Sequence, residues 1–201
     1  MKNRFPDIKV MNHSQALEYV YSHSGNPKYQ KYAIISIQEA THGYGFGLAF
    51  KTGGNCLDAL NIEFSDCTPV IQLEGDLLMS RENAMEIHDF VENLPDDVEL
   101  LIIHCRAGQS RSVAVAAAIS LVKTGSYNDI INDESELPNK YVYCTMLEAY
   151  GRHNDYQEKY YESDKKLIES LSAKFPEGLS PEIIKIATEI LNVAANLTDE
   201  D

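Results

Sequence analysis

LLIIHCRAGQSRSVAVAAAI, residues 100–119, changes character twice along its length. With the two residues before it, the first part forms VELLII (98–103), a short β-rich apolar run flanked by turn signals, which predicts a buried strand. From Arg111 the small-residue run RSVAVAAAISLVK (111–123) has the composition of a helix and stops at Gly125. Strand, tight turn and helix are contiguous, so this is an α/β unit. The turn between them carries Cys105 and Arg111, neither of which can pack well beside Gly108. Their presence calls for a chemical reason.

The same reading extends outward in both directions. IKVMN (8–12) predicts a strand, followed by a helix capped by Ser14 and running to about Tyr21. YAIISIQ (32–38) predicts a central strand, THGYGFGLAFKTGGNC (41–56) a glycine-rich loop, and ALNIEF (59–64) a further strand that ends at Ser65 and Asp66. Ser80 predicts the cap of a helix, RENAMEIHDFVENL, with Ala84, Ile87 and Val91 on one stripe and Pro95 at its end. Beyond Gly125 the pattern predicts a short helix at 127–131, a helix at 139–150, two more at 154–171 and 181–196, and a frayed tail TDED. No internal repeat is visible. The expected fold is α/β, a mostly parallel central sheet flanked by helices, with a C-terminal helical extension over 153–201 packed on the domain formed by 1–152.

Composition narrows the function. Apolar residues at 44% and charged residues at 24% are those of an ordinary globular protein. A net charge of −14 argues against a surface that gathers nucleic acid or anionic membrane. An anion handled by such a chain has to be held at close range, in a local cationic pocket. MKNRFPDIKVMNHS has no hydrophobic stretch of the signal-peptide kind, and Val113–Val122 is too short to span a bilayer, so a cytoplasmic protein is expected. The spacing of Cys56, Cys67, Cys105 and Cys144 supports neither a disulfide framework nor a metal site, and free thiols are expected.

The turn itself suggests nucleophilic chemistry on phosphate. Cysteine attacks as the thiolate, and an ordinary thiol, with a pKa of about 8.5, stays mostly protonated at neutral pH unless positive potential stabilises the anion. Here the amides of Arg106, Ala107, Gly108, Gln109, Ser110 and Arg111 can curl into a nest, the helix that follows points its positive end inward, and Arg111 adds a full charge. Five residues separate Cys105 from Arg111, enough for a loop that returns the guanidinium beside the sulfur with room for one tetrahedral oxyanion. The planar fork of arginine can hold two oxygens of a phosphoryl group. Gly108 permits the tight turn.

HCRAGQSRS (104–112) resembles the HCxxGxxR[ST] signature of the cysteine-dependent protein tyrosine phosphatase superfamily, in its small dual-specificity-like bacterial and phage branch. ISI after the first helix, the strand end from Glu63 to Asp66, and Pro138-Asn139 before a helix extend the likeness over roughly 8–152. The resemblance implies that Cys105 forms a phosphocysteine intermediate, that Arg111 binds phosphate and stabilises the transition state, and that no metal or cofactor is needed. It further implies that Ser112 hydrogen-bonds the sulfur and helps it leave, and that His104 orients the loop from behind. The resemblance also implies a general acid, an aspartate on a separate loop; Asp66 matches the position, with Asp76 as runner-up. Arg106 is left open between a solvated charge and a second contact to substrate.

The substrate implied is a phosphorylated protein or peptide, carrying phosphotyrosine and extending to phosphoserine or phosphothreonine. The chain has no tryptophan, hence no WPD loop, and Gln109 stands where the phosphoinositide branch carries lysine. A phosphate-reading module without turnover and a rhodanese-like sulfur transferase are the competing classes. Cys67 beside the proposed acid reads as a small buried apolar group rather than a disulfide partner, and Tyr44 as a loop residue rather than a pocket wall. Oligomeric state is not legible.

Overall fold

This computed structural model describes residues 4–23, 30–39, 49–132, 137–153 and 156–174. Tyr44, the rest of 41–48 in the glycine-rich stretch, the helix expected at 181–196 and the tail lie outside the described residues. The described chain is α/β: four strands, β1 (Asp7–Asn12), β2 (Tyr32–Gln38), β3 (Cys56–Glu63) and β4 (Leu100–Cys105), form one sheet in the order β1-β4-β2-β3. Every pairing is parallel. Five helices flank the sheet: α1 (His13–His23), α2 (Arg81–Glu92), α3 (Arg111–Thr124), α4 (Lys140–Ala149) and α5 (Glu162–Lys174). None of the described helices is long and apolar enough to cross a membrane.

The register of β2 against β4 pairs Ile34 with Ile102 and Ile35 with Ile103, and their alternation defines two cores. Ala33, Ile35, Ile37, Leu101, Ile103 and Cys105 face the larger one, shared with α2, α3 and α4. Ile34, Leu100 and Ile102 face a smaller one with Met11, Ala16 and Phe50, on the side where α1 packs against β1 and β4. A parallel sheet covered on both faces needs apolar residues at successive positions, which is why YAIISIQ and LLII read as runs rather than as alternation. Truncating one of the fully buried isoleucines to alanine costs about 2–5 kcal/mol.

Local signals set most boundaries. Ser80 and Asn83 exchange side-chain and backbone hydrogen bonds at the start of α2, whose Ala84, Ile87 and Val91 are buried. Helix α3 is buried almost all round, and its alanines let β4, β1 and α4 approach closely. It ends at Gly125 with φ +81, a left-handed conformation that favours glycine. Asn139 caps α4 by accepting a hydrogen bond from the Val142 amide at 3.0 Å.

Three expectations need correction. Ser14 lies inside α1; the cap is Asn12, whose side chain accepts from the Gln15 amide while Gln15 Oε1 accepts from the Asn12 amide. That reciprocal pair satisfies two backbone donors at the start of the helix. Residues 127–131 form a single turn on the Tyr127 carbonyl rather than a helix. Strand β3 begins at Cys56, three residues early, because the Gly53–Cys56 hairpin delivers the chain directly to Tyr32.

Candidate active site

Cys105 is the last residue of β4 and is 2% exposed. The chain then turns through residues 106–110 into α3, and two groups converge on the sulfur. The Gly108 amide donates to Sγ at 3.3 Å, and Ser112 Oγ lies 3.1 Å from Sγ, either of the two able to donate. Gly108 makes this possible in two ways. Its φ of +71 is left-handed, and a Cβ there would sit 2.6 Å from the Asn12 amide nitrogen and 2.7 Å from the Met11 carbonyl carbon. The turn therefore rests against the β1–α1 junction, where the His13 amide also donates to the Arg106 carbonyl at 3.3 Å.

Ser110 occupies the N-cap position of α3 but makes no side-chain cap, so the amides of the first helical turn keep the donor capacity that a cap would consume. The hydroxyl is committed elsewhere: Ser110 Oγ donates to Asp66 Oδ1 at 2.6 Å.

Arg111 is 3% exposed and fixed by the ends of β2 and β3. Nη1 donates to the Phe64 carbonyl at 2.6 Å and the Gln38 carbonyl at 3.4 Å, and Nη2 to Glu39 Oε2 at 2.8 Å. Its buried Nε–H has no partner. Three of the five guanidinium N–H groups are thus spoken for, leaving Nε–H and one N–H of Nη2 for an incoming anion. A grip through both terminal nitrogens, as the fork of a free arginine would offer, is not what this guanidinium has left to give. An orphaned donor on a buried cation is costly, and an oxyanion would satisfy it.

The structure bonds Asp66 to the loop, whereas the hydrogen bond of Asp76 falls within its own turn. Loop 65–77 is closed where the Ser65 amide donates to the Leu77 carbonyl and the Leu77 amide to Ser65 Oγ. Asp66, exposed near its start, has Oδ1 between two donors: Ser110 Oγ and Asn139 Nδ2, the latter at 2.8 Å. Asp76 Oδ2 instead accepts from the Leu73 amide at 2.8 Å and closes its own turn. Cys67, buried next to Asp66, has its thiol pushed up to about 12 by burial and by the carboxylates of Asp76, Asp66 and Glu39, which makes it a poor nucleophile. None of the four cysteines is in a disulfide.

Behind the loop, His104 is 1% exposed, with Nδ1 3.4 Å from the Cys105 carbonyl oxygen and the Phe50 ring edge-on at 4.9 Å. Burial drives its pKa down to about 4, with a smaller push from His13, so the ring is neutral. Asn61 holds Phe50 in place by pairing with both its amide and its carbonyl at 2.9 Å.

Sequence reasoning misses Glu39 and gives Asn139 only half its work. Glu39 follows the strand YAIISIQ as its first acidic residue, and nothing local marks it as the partner of Arg111. Asn139 is read only as the start of a helix, yet it caps α4 and its Nδ2 also reaches Asp66 and, at 3.4 Å, the Cys67 carbonyl.

No protein-family model matches the chain, and no curated protein matches it at a significant level.

Proposed function

We propose that the protein is a cysteine-dependent phosphoric monoester hydrolase acting on phosphotyrosine, and by extension phosphoserine or phosphothreonine, in proteins or peptides. The observation that carries this reading is the turn that runs from Cys105 to Arg111, to which Ser110 bonds Asp66 of the neighbouring loop 65–77. The sulfur receives the Gly108 amide, the guanidinium keeps a buried Nε–H unpartnered, and Asp66 is bonded to Ser110 within that turn.

In the proposed reaction the phosphoryl group sits over the uncapped N-terminus of α3, with oxygens on Arg111 Nε–H and Nη2–H. The Cys105 thiolate attacks phosphorus, the bond to the substrate oxygen breaks, and Asp66 gives its proton to that leaving oxygen. Water then attacks the phosphocysteine and the S–P bond breaks. Asp66 takes a proton from the water, and the Ser112 hydroxyl donates to the departing sulfur, 3.1 Å away. Inorganic phosphate leaves and the starting protonation is restored. Positioning and charge stabilisation do most of the work in such a transfer. No step calls on a metal or cofactor.

A cytoplasmic setting belongs to the same proposal and suits four cysteines held outside any disulfide. A binding module without turnover would not require a carboxylate beside the anion loop, and a sulfur transferase would not require an acid to protonate a leaving alcohol. The position of Asp66 therefore favours hydrolysis over both.

The test is phosphate release from phosphotyrosine peptides, phosphoserine peptides, phosphoinositides and 5′-phosphorylated RNA, beside binding of each. Release from the peptides, lost in Cys105→Ser, is the expected result. Tight phosphopeptide binding without release would replace the proposal with the binding module.

A further inference from the structure

Tyr156 begins the segment that follows α4, and it is 2% exposed, a deep burial for a residue outside the main domain read from sequence. Its hydroxyl donates to Asp164 Oδ2 at 2.8 Å, in the first turn of α5, and lies within hydrogen-bonding reach of the Thr68 side chain. Its ring meets Tyr141 of α4 edge-on, with centroids 5.3 Å apart.

Both neighbours belong to the frame of the Asp66 loop. Thr68 closes a tight turn two residues after Asp66: its amide and the Ile71 amide each donate to the other's carbonyl, and Thr68 Oγ1 also accepts from the Ile71 amide at 3.2 Å. The Tyr141 hydroxyl donates to the Met79 carbonyl at 3.0 Å, at the far end of the same stretch. Tyr156 thus meets the near end of the stretch through Thr68 and reaches the far end through the Tyr141 ring. The chain after it makes a π-helical turn, Gln157–Tyr161, a local underwinding of the kind that costs backbone regularity and is kept where it places a side chain. Lys140, the first residue of α4, lies 4.8 Å over the Tyr160 ring and fastens that turn down.

We propose that the segment 156–164 is a brace for the loop that carries Asp66, with Tyr156 as a positioning residue pinned by Asp164. This rests on the reading of Asp66 as the general acid. Because Asp66 has to meet a leaving oxygen above the anion loop, displacement of its loop by about 1 Å is enough to lose a large part of the acid's contribution. The brace acts on proton donation, and substrate binding by Arg111 is untouched.

The experiment compares the full chain with Tyr156→Ala, Tyr156→Phe, Asp66→Asn and the Tyr156→Ala, Asp66→Asn double variant. Phenyl phosphate, whose leaving group needs the acid, is set against p-nitrophenyl phosphate, which needs it less. Tyr156→Ala is expected to lower kcat on phenyl phosphate about tenfold, with KM and the p-nitrophenyl phosphate rate within about twofold of the parent. Tyr156→Phe, which keeps the ring, is expected to lie between. Added to Asp66→Asn, Tyr156→Ala is expected to cost nothing further, because the group it positions is already gone.

Hydrogen exchange gives a readout independent of turnover: amides between Thr68 and Leu77 exchange faster in Tyr156→Ala and in Asp164→Asn. Equal losses on the two substrates, a full extra loss in the double variant, or unchanged exchange in that stretch each overturns the brace. Should Tyr156→Ala fail to fold, Tyr156→Phe and Asp164→Asn carry the same comparisons. A parent chain that releases no phosphate from any substrate removes the phosphatase reading, and the exchange comparison alone then decides whether the brace exists.

Discussion

Ser110 and Asp66, 44 residues apart in sequence, are joined by a hydrogen bond of 2.6 Å. The serine at the head of α3 leaves its own helix uncapped and reaches across to the loop that follows β3. One bond thereby couples the 105–111 turn to the loop that carries the proposed acid, and the amides it declines to cap stay available to an oxyanion.

Asp66→Asn is expected to lower kcat on phenyl phosphate by about a hundredfold, within the usual range for a general acid, and to lower it less on p-nitrophenyl phosphate. Asp76, whose Oδ2 accepts from the Leu73 amide, is not assigned the acid role in this proposal. Asp76→Asn is expected to keep the parent's dependence on leaving group. The reverse pattern in steady-state kinetics would transfer the acid role to Asp76.

Ser112→Ala removes the hydroxyl 3.1 Å from Sγ while leaving Arg111 and the Gly108 amide in place. Its effect falls on the second step, where the sulfur leaves. Rapid-quench kinetics with p-nitrophenyl phosphate are expected to show a burst of nitrophenol followed by a steady rate at least about tenfold below the parent. A slowed burst with no change in steady rate would put the hydroxyl's role in the first step.

Gly108 and Gly125 both have left-handed backbones, but only one of them has neighbours. A Cβ at Gly108 would lie 2.6 Å from the Asn12 nitrogen, whereas at Gly125 nothing comes within 4 Å. Gly125→Ala is expected to cost about 1–2 kcal/mol of backbone strain and to leave activity alone. Gly108→Ala adds a backbone clash that pushes the anion loop off β1, and it is expected to abolish inhibition by vanadate as well as to destabilise the fold. Thermal unfolding and vanadate titration separate the two; equal behaviour of the variants would mean that the contact with β1 is unimportant.

His104 ties stability to acid. Its folded pKa of about 4 lies below the unfolded value of 6.5, so below 6.5 the unfolded chain binds the proton that the folded chain refuses. The stabilisation is therefore complete above pH 6.5, and it is lost as pH falls toward 4, by about 3 kcal/mol in all. Urea unfolding of the parent and of His104→Gln across that window is expected to show a shallower pH slope in the variant. Parallel slopes would contradict a buried neutral imidazole.

Much of the fold is legible in the chain because its signals are local. LLII and YAIISIQ announce strands covered on both faces, Ser80 and Gly125 mark helix ends by chemistry that their own neighbours complete, and the turn from Cys105 to Arg111 is short enough to read as one unit. Asp66 is legible as the polar end of β3. The rest depends on tertiary contacts. Glu39 becomes the partner of Arg111 only because β2 lies beside β4 in the sheet. The second bond of Asn139 depends on how α4 meets loop 65–77, and Tyr156 reads as one tyrosine among twelve until its ring is seen against Tyr141. The helix misread at 127–131 has the same origin: propensity suggests a helix, while the carbonyl of Tyr127 closes only one turn.

The central claim is that the Cys105 sulfur takes the phosphoryl group. It is tested most directly by acid-quenching the Ser112→Ala enzyme during turnover of p-nitrophenyl phosphate and mapping the adduct by mass spectrometry of its peptides. A phosphoryl group on the peptide carrying Cys105, absent after Cys105→Ser together with all phosphate release, is the predicted result. Phosphate release at the parent rate by Cys105→Ser, or an adduct on any other residue, would contradict it.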